Sequence, residues 1–331
     1  MTQLHIPDLD DKTHFLLNPA SYPEGTTSVR LVETHMARVF LTDRFAYKMK
    51  KPVRSSYLDF SSLDKRYAVC LEELRLNRRL TDDVYLDAVP LCLTAPGRLT
   101  LQEAGTPVEW LVKMRRLPAE ASLPQRLATL DAAGLAPLLQ RLQTFYRHAV
   151  PIPLTGNQYL ARLRRQVDTL RTALLAPELE EKLTLDRDAV DSVARALVEF
   201  SAQQQPLLDA RGALIVEGHG DLRPEHCFLT EPPQVIDCLE FNRTLRCVDP
   251  LDELSYLALE CELLGRADLA QQIVHSAGAA PAELVRFYQC YRALLRAQLA
   301  AAHLQDGRVN EPDKWRRKTG TYLAAALQRC P

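Results

Sequence analysis

The stretch Ala213 to Asp252, ALIVEGHGDLRPEHCFLTEPPQVIDCLEFNRTLRCVDPLD, constrains the fold more than any other part of the chain. Leu214 to Val216, Cys227 to Leu229 and Gln234 to Cys238 are short apolar runs of strand composition, punctuated by glycine, proline and polar residues. Gly218 and Gly220 bracket His219, and Thr230 to Pro233 reads as a turn. The predicted local structure is strand, polar loop and hairpin. This layout puts Asp221 in a loop and Asp237 at the end of a strand, so two carboxylates can converge. Carboxylates brought close together repel unless a cation or a proton sits between them. A divalent metal carrying a polyphosphate removes the conflict, because Mg²⁺ is held by one or two carboxylates plus substrate phosphates. The competing reading, a β-hairpin with a solvated acidic loop, accounts for an isolated HGD but not for the longer pattern that ends in Asp237.

HGDLRPEH followed by VIDCLEF resembles the catalytic loop and metal-binding strand of the aminoglycoside phosphotransferase and choline kinase-like family, small-molecule kinases that share the protein-kinase fold. The match is nearest to a subgroup often fused to a P-loop ATPase. No GxxxxGK[ST] motif occurs, so the ATPase half is expected to be absent here. The resemblance implies that Asp221 accepts the proton of a substrate hydroxyl, with His219 and Arg223 in the same catalytic loop, and that Asp237 is the metal aspartate. It also implies ATP and Mg²⁺ as cofactors and a small-molecule hydroxyl as acceptor. Two positions depart from the family pattern. His226 stands where most relatives carry Asn, and an imidazole is a poorer Mg²⁺ ligand than an oxygen; His226 and Asp237 are nevertheless the candidate metal residues. Asp237 is followed by Cys238 and Leu239 rather than Phe-Gly.

Towards the N-terminus, Ser28 to Glu33, Arg38 to Leu41 and Phe45 to Lys50 read as short strands of a small antiparallel sheet, after a lead-in with at most a short helix. Lys48 resembles the strand lysine that kinases place on the α and β phosphates, with Lys50 as the alternative. Ser61 and Asp64 fit a capping box for a helix ending near Leu80, with Tyr67, Leu71 and Leu74 on its apolar side. That helix resembles the kinase C helix. Its lysine partner is expected to be Glu73 rather than the adjacent Glu72, since only one of the two can face the sheet. Tyr85 to Leu93, Leu99 to Glu103 and Val108 to Met114 add strands, and the resemblance makes Met114 a candidate adenine contact. Glu33-Thr34-His35-Met36-Ala37 replaces the glycine-rich phosphate loop; Thr34 and His35 either cover the phosphates or are ordinary turn residues.

Beyond Leu123 the periodicity turns helical, and the leucine stripes read as core faces. Asp252 resembles the aspartate that braces a kinase catalytic loop; the alternative is a first-turn acid complementing its helix dipole.

The resulting expectation is an α+β, protein-kinase-like, two-lobed fold, with an antiparallel-sheet lobe over residues 1–117 and a mainly helical lobe over 118–331. The expected activity is transfer of the ATP γ-phosphoryl group to a small-molecule hydroxyl. The alternative, motivated by His226 and the missing glycine loop, is a catalytically weak or inactive nucleotide-binding regulatory module.

Composition limits the partners. Lys plus Arg number 41 against 42 for Asp plus Glu, so no basic field argues for nucleic acid. No stretch approaches the roughly eighteen apolar residues of a membrane span, and the first residues lack a signal-peptide pattern, which points to the cytoplasm. The eight cysteines show no CxxC pair and read as reduced thiols. A zinc site from His219, His226, Cys227 and Cys238 has no common ligand spacing and puts His226 and Cys227 on opposite faces of one strand. An SxxK match at Ser62 is better explained by helix capping. The basic segment Lys314, Arg316, Arg317 and Lys318 argues against a polycationic acceptor such as an aminoglycoside.

Overall fold

The computed structural model describes residues 6–55, 58–95, 97–102, 104–305 and 311–331, with the Glu180 side chain outside the description. By compactness the chain divides into two units that interleave in sequence. The first comprises Met1–Leu130, Ala136–Phe145 and Glu225–Arg246; the second comprises Asp131–Leu135, Tyr146–Pro224 and Cys247–Pro331.

The first unit opens with helix α1, Leu9–Leu17, whose Asp8 cap accepts the Asp10 and Asp11 amides. A six-stranded antiparallel sheet follows, formed by β1 (Arg30–Glu33), β2 (Ala37–Leu41), β3 (Phe45–Lys50), β4 (Tyr85–Leu93), β5 (Leu99–Thr100) and β6 (Thr106–Arg115), in the order β1-β2-β3-β6-β4-β5. Glu103, expected at the end of β5, lies outside the described residues. The period of two along β3 decides what each face holds. Tyr47 and Met49 pack with Leu16 of α1 and Phe40, while Ala46 packs on the opposite face with Cys70 and Leu74 of helix α2, Leu63–Asn77. Lys48 and Lys50 share the parity of Ala46 and so are directed to the α2 side.

Helix α2 differs from expectation in three details. Its cap is Ser62, which accepts the Lys65 amide at 3.3 Å, because Asp59 occupies both the amide and the hydroxyl of Ser61. The helix ends at Asn77, and Leu71 is exposed. Its buried face carries Arg66, Glu73 and Asn77 beside Cys70, Leu74 and Leu76. Such polar groups tolerate burial only with partners. Arg66 donates to both oxygens of Glu109 on β6, at 2.7 and 2.9 Å, and Lys12 of α1 adds a third bond at 3.0 Å.

The chain continues through α3 (Leu123–Arg126), α4 (Ala132–His148), α5 (Gly156–Leu174), α6 (Pro177–Glu180), α7 (Arg187–Gln203) and α8 (Gln205–Gly212). Short strands follow: β7 (Val216–Glu217), β8 (Cys227–Phe228), β9 (Gln234–Val235) and, after α9 (Arg243–Arg246), β10 (Cys247–Val248). The chain closes with α10 (Pro250–Leu263), α11 (Ala267–Ser276), α12 (Ala282–Ala302) and α13 (Pro312–Gln328). Residues such as Leu163, Val193, Leu259, Phe287, Leu294 and Ala326 join α5, α7, α10, α12 and α13 in one core of the second unit. Among the described residues, no helix is long and apolar enough to cross a membrane and no cysteine forms a disulfide.

Candidate active site

In the first unit an ion network gathers on the α2 face of the sheet. The Lys48 ammonium donates to Glu73 Oε1 at 2.8 Å and to Asp237 Oδ1 at 2.6 Å. Lys50 also enters the network. It lies 2.5 Å from Glu73 Oε2 and bonds Glu240, with its side chain only 1% exposed against 13% for Lys48. The two lysines are equivalent by strand parity but not by surroundings. Lys50 is enclosed by carboxylates, while Lys48 is the one that reaches Asp237. On α2 the inward residue is Glu73, fully buried; Glu72 bonds Arg75 at 2.7 Å and Arg246 at 2.5 Å instead.

Burial alone would push the Glu73 carboxyl up, but Lys48 and Lys50 hold it below its ordinary value. Burial likewise works against the charge on Lys48, yet Asp237, Glu73 and Glu240 keep that ammonium protonated well above the ordinary lysine range. The Asp237 carboxyl is pushed up by burial and brought well below the ordinary range by Lys48 and His226. The three charges are therefore ionised together at neutral pH.

Asp237 does not end a strand. It lies two residues beyond β9 with φ +63°, a conformation that Asp tolerates better than most residues. Tyr85 Oη accepts its amide at 3.1 Å, and Asn77 Oδ1 accepts the next amide, Cys238, at 2.9 Å. Asn77 also donates to the Glu73 carbonyl at 2.8 Å, so one buried amide joins α2 to the Asp237 segment. Asn77, Tyr85 and Glu240 were not legible as site residues in the sequence, where Lys50 stood only as the alternative to Lys48; burial of a polar residue four positions from Glu73 is a signal only once the helix face is known.

His226 sits in the tight turn Pro224–His226 before β8 rather than on the strand. Its carbonyl accepts the Ile236 amide at 2.9 Å, and its Nε2 lies 3.6 Å from Asp237 Oδ2. Thr34 closes the β1–β2 turn, bonding both the amide and the carbonyl of Ala37, and His35 is exposed in that turn. Met114 is 8% exposed and packs in the core beside Val84 and Tyr85, and the Arg115 and Arg116 amides that follow it donate to the carbonyls of Val84 and Arg44.

Among the described residues no three His, Cys, Asp or Glu side chains gather as a metal group. The donor at Asp237 is a single carboxylate with one oxygen on Lys48 and its side chain 44% exposed. Taken without His226, this half-buried carboxylate fits an ion that takes its remaining ligands from phosphates and water, as Mg²⁺ does.

In the second unit the loop after β7 carries Asp221, His219 and Arg223. The Asp221 side chain is 30% exposed and accepts from Tyr256 Oη at 3.1 Å and from Arg223 Nε at 3.0 Å. His219 is fully buried, and its Nδ1 accepts the Asp221 amide at 3.2 Å, which makes it a residue that holds the loop. The group beneath the loop is Glu253, not Asp252. Buried Glu253 accepts the His219 amide at 3.0 Å, the Gly220 amide and the Tyr146 hydroxyl at 2.8 Å. Asp252 instead forms a two-pronged pair with Arg292 at 2.6 and 2.7 Å. Asp249 caps α10 and receives Arg211 at 2.5 and 2.6 Å and Tyr288 at 2.7 Å. On α13, Lys314 and Arg316 pair with Glu311 and Asp313, so part of the expected basic surface is neutralised locally.

These arrangements can be set beside known proteins. No protein-family model matches the chain. It is similar to the GDP complex of wild-type aminoglycoside 2'-phosphotransferase-IIIa, with a TM-score of 0.57 and 16% identity over 97% of this chain and 99% of that one. It is also similar to a choline/ethanolamine kinase family protein from Mesorhizobium loti, with a TM-score of 0.56 and 15% identity over 96% of this chain and 99% of that one. The chain thus has the protein-kinase-like α+β fold of these proteins. Uncharacterized proteins of Mycobacterium tuberculosis and Mycobacterium bovis are 33% identical to it over 294 residues, 83% of this chain. The chain spans 55% of the length of those relatives.

Proposed function

We propose that the chain is an ATP-dependent phosphotransferase that moves the γ-phosphoryl group to a hydroxyl of a small molecule. The observation that carries this reading is Lys48 held between Glu73 and Asp237, a cation fixed on a strand beside an exposed carboxylate. An ammonium fixed in this way is suited to phosphate oxygens, and the carboxylate to a divalent ion that brings phosphates with it. In this reading Lys48 contacts the α and β phosphates, Glu73 orients Lys48, and Asp237 holds Mg²⁺. The ion, when bound, neutralises charge on the phosphates.

Asp221 is the base. The acceptor oxygen attacks the γ-phosphorus, the bond from that phosphorus to the β–γ bridging oxygen breaks, and ADP leaves with its electron pair. The acceptor proton passes to the Asp221 carboxylate. Tyr256 and Arg223 fix that carboxylate, and Glu253 fixes the backbone behind it. The reading implies work in the cytoplasm, where ATP and reduced thiols coexist.

The test is calorimetric MgATP binding beside a phosphoryl-transfer assay on a panel of hydroxylated metabolites. Asp221→Asn is expected to change nucleotide affinity by less than about tenfold while turnover falls by about 10² or more. Asp237→Asn is expected to damage Mg²⁺-dependent nucleotide binding itself. Wild-type activity in Asp221→Asn would remove the base assignment. Intact binding with no transfer to any acceptor would favour the nucleotide-binding module.

A further inference from the structure

We propose that His226 is a nitrogen ligand beside Asp237, and that the nucleotide site therefore prefers a first-row transition ion, Mn²⁺ or Co²⁺, to Mg²⁺. This inference rests on the phosphotransferase reading and deepens it at the metal.

The geometry is that of two donors within reach of one ion. His226 Nε2 is 3.6 Å from Asp237 Oδ2. Bonds of about 2.0–2.2 Å from each donor allow a separation of up to about 4.2 Å on a shared ion. Neither donor is loosely held. The His226 side chain is 9% exposed, its carbonyl accepts the Ile236 amide, and Cys227 registers with Val235 in the adjoining ladder. On the other side Lys48 holds Asp237 Oδ1 and Tyr85 holds the Asp237 amide, which leaves Oδ2 on the His226 side.

The donor chemistry then selects the ion. Mg²⁺ favours oxygen ligands and binds imidazole weakly, whereas affinity for a nitrogen donor rises from Mn²⁺ through Co²⁺ to Ni²⁺. An oxygen-bearing side chain at position 226 would suit Mg²⁺; this imidazole does not. Since no third His, Cys, Asp or Glu joins the pair among the described residues, the remaining ligands come from nucleotide phosphates and water. Metal and nucleotide should therefore bind together, each poorly without the other.

The experiment uses the full chain. ATP binding is measured by calorimetry with Mg²⁺, Mn²⁺ and Co²⁺ in the wild type and in His226→Asn. Loss of an outer partner of a metal ligand already costs at least about tenfold in affinity, so the wild-type preference for Mn²⁺ over Mg²⁺ should fall at least about tenfold in the variant. Comparing ratios between the two proteins cancels the ions' own differences towards ATP. Pulsed electron paramagnetic resonance of the Mn²⁺·ATP complex adds a readout that needs no variant: a directly bonded ¹⁴N coupling that becomes ¹⁵N in protein grown on ¹⁵N-histidine. Mn²⁺·ATP bound without nitrogen coupling, or an unchanged ion ratio in His226→Asn, overturns the ligand and leaves the phosphotransferase reading standing. Failure to bind ATP with any of the three ions overturns both.

Discussion

Lys48 and Lys50 point to the same side of β3, and only their neighbours separate them. Lys50 is shut between Glu73 and Glu240, so Lys50→Met strands buried carboxylates. Breaking a buried pair from one side costs about 3–5 kcal/mol, and chemical denaturation should show a loss of that size. Lys48→Met removes a partly exposed cation, and its expected signature is lost nucleotide affinity in calorimetry with a smaller loss of stability. Equal effects of the two substitutions on both measurements would contradict this division. Gly218 is a second position where one atom matters. A Cβ there would lie 2.5 Å from Glu253 Oε2 and 2.7 Å from Val248 Cγ2. Gly218→Ala should destabilise the protein by about 1–3 kcal/mol, the usual cost of overpacking. Turnover should fall further than nucleotide affinity, because Glu253 supports the loop carrying Asp221. HGDL was visible in the sequence, but the group beneath it was assigned to Asp252, one residue from the one that bonds the loop.

At the scale of elements, α2 is tied to β3 and to the Asp237 segment by ionised groups, and this sets a pH dependence. Glu73 and Asp237 both have carboxyls held below their ordinary values in the folded protein. A depressed folded pKa contributes stability that is full above the unfolded value, about 4, and is lost as pH falls through the folded value. Denaturation midpoints should therefore drop as pH is lowered below about 5, and the double variant Glu73→Gln, Asp237→Asn should show a shallower acid slope. An unchanged slope would show that the network is not ionised as described. Asp252 has the opposite sign: burial outweighs Arg292 and raises its carboxyl, so protonation there offsets part of the acid loss. The presence of α2 followed from its periodicity, but its cap, its end at Asn77 and its buried face did not. Asp59 displaces the cap by one residue, and Glu109, Lys48 and Cys238, which bond Arg66, Glu73 and Asn77, lie far away in sequence.

For the whole molecule, the two units have separate cores, and the Lys48 network belongs to the first. A ligand that binds only the folded state at 100 times its dissociation constant adds about 2.7 kcal/mol. For a unit of this size that is a rise of several degrees, on the order of 2–4 °C per kcal/mol. ATP with a divalent ion should therefore raise the thermal transition of the first unit, more than either component alone, and Lys48→Met should abolish the rise. No shift at millimolar ATP would count against nucleotide binding itself. What the sequence determined alone was local and periodic: the strands from 30 to 50, the helical stripes beyond Leu123 and the loop carrying Asp221; the protein-kinase-like fold class came from the resemblance of HGDLRPEH and VIDCLEF to a known family. Only the tertiary structure decided between Glu72 and Glu73, placed Glu253 rather than Asp252 under the loop, and drew Lys50 and Asn77 into the network. Adjacent helix residues differ by about 100° around the axis, so which of two neighbours faces inward depends on what packs against the helix, and those packing partners come from elements far away in the chain.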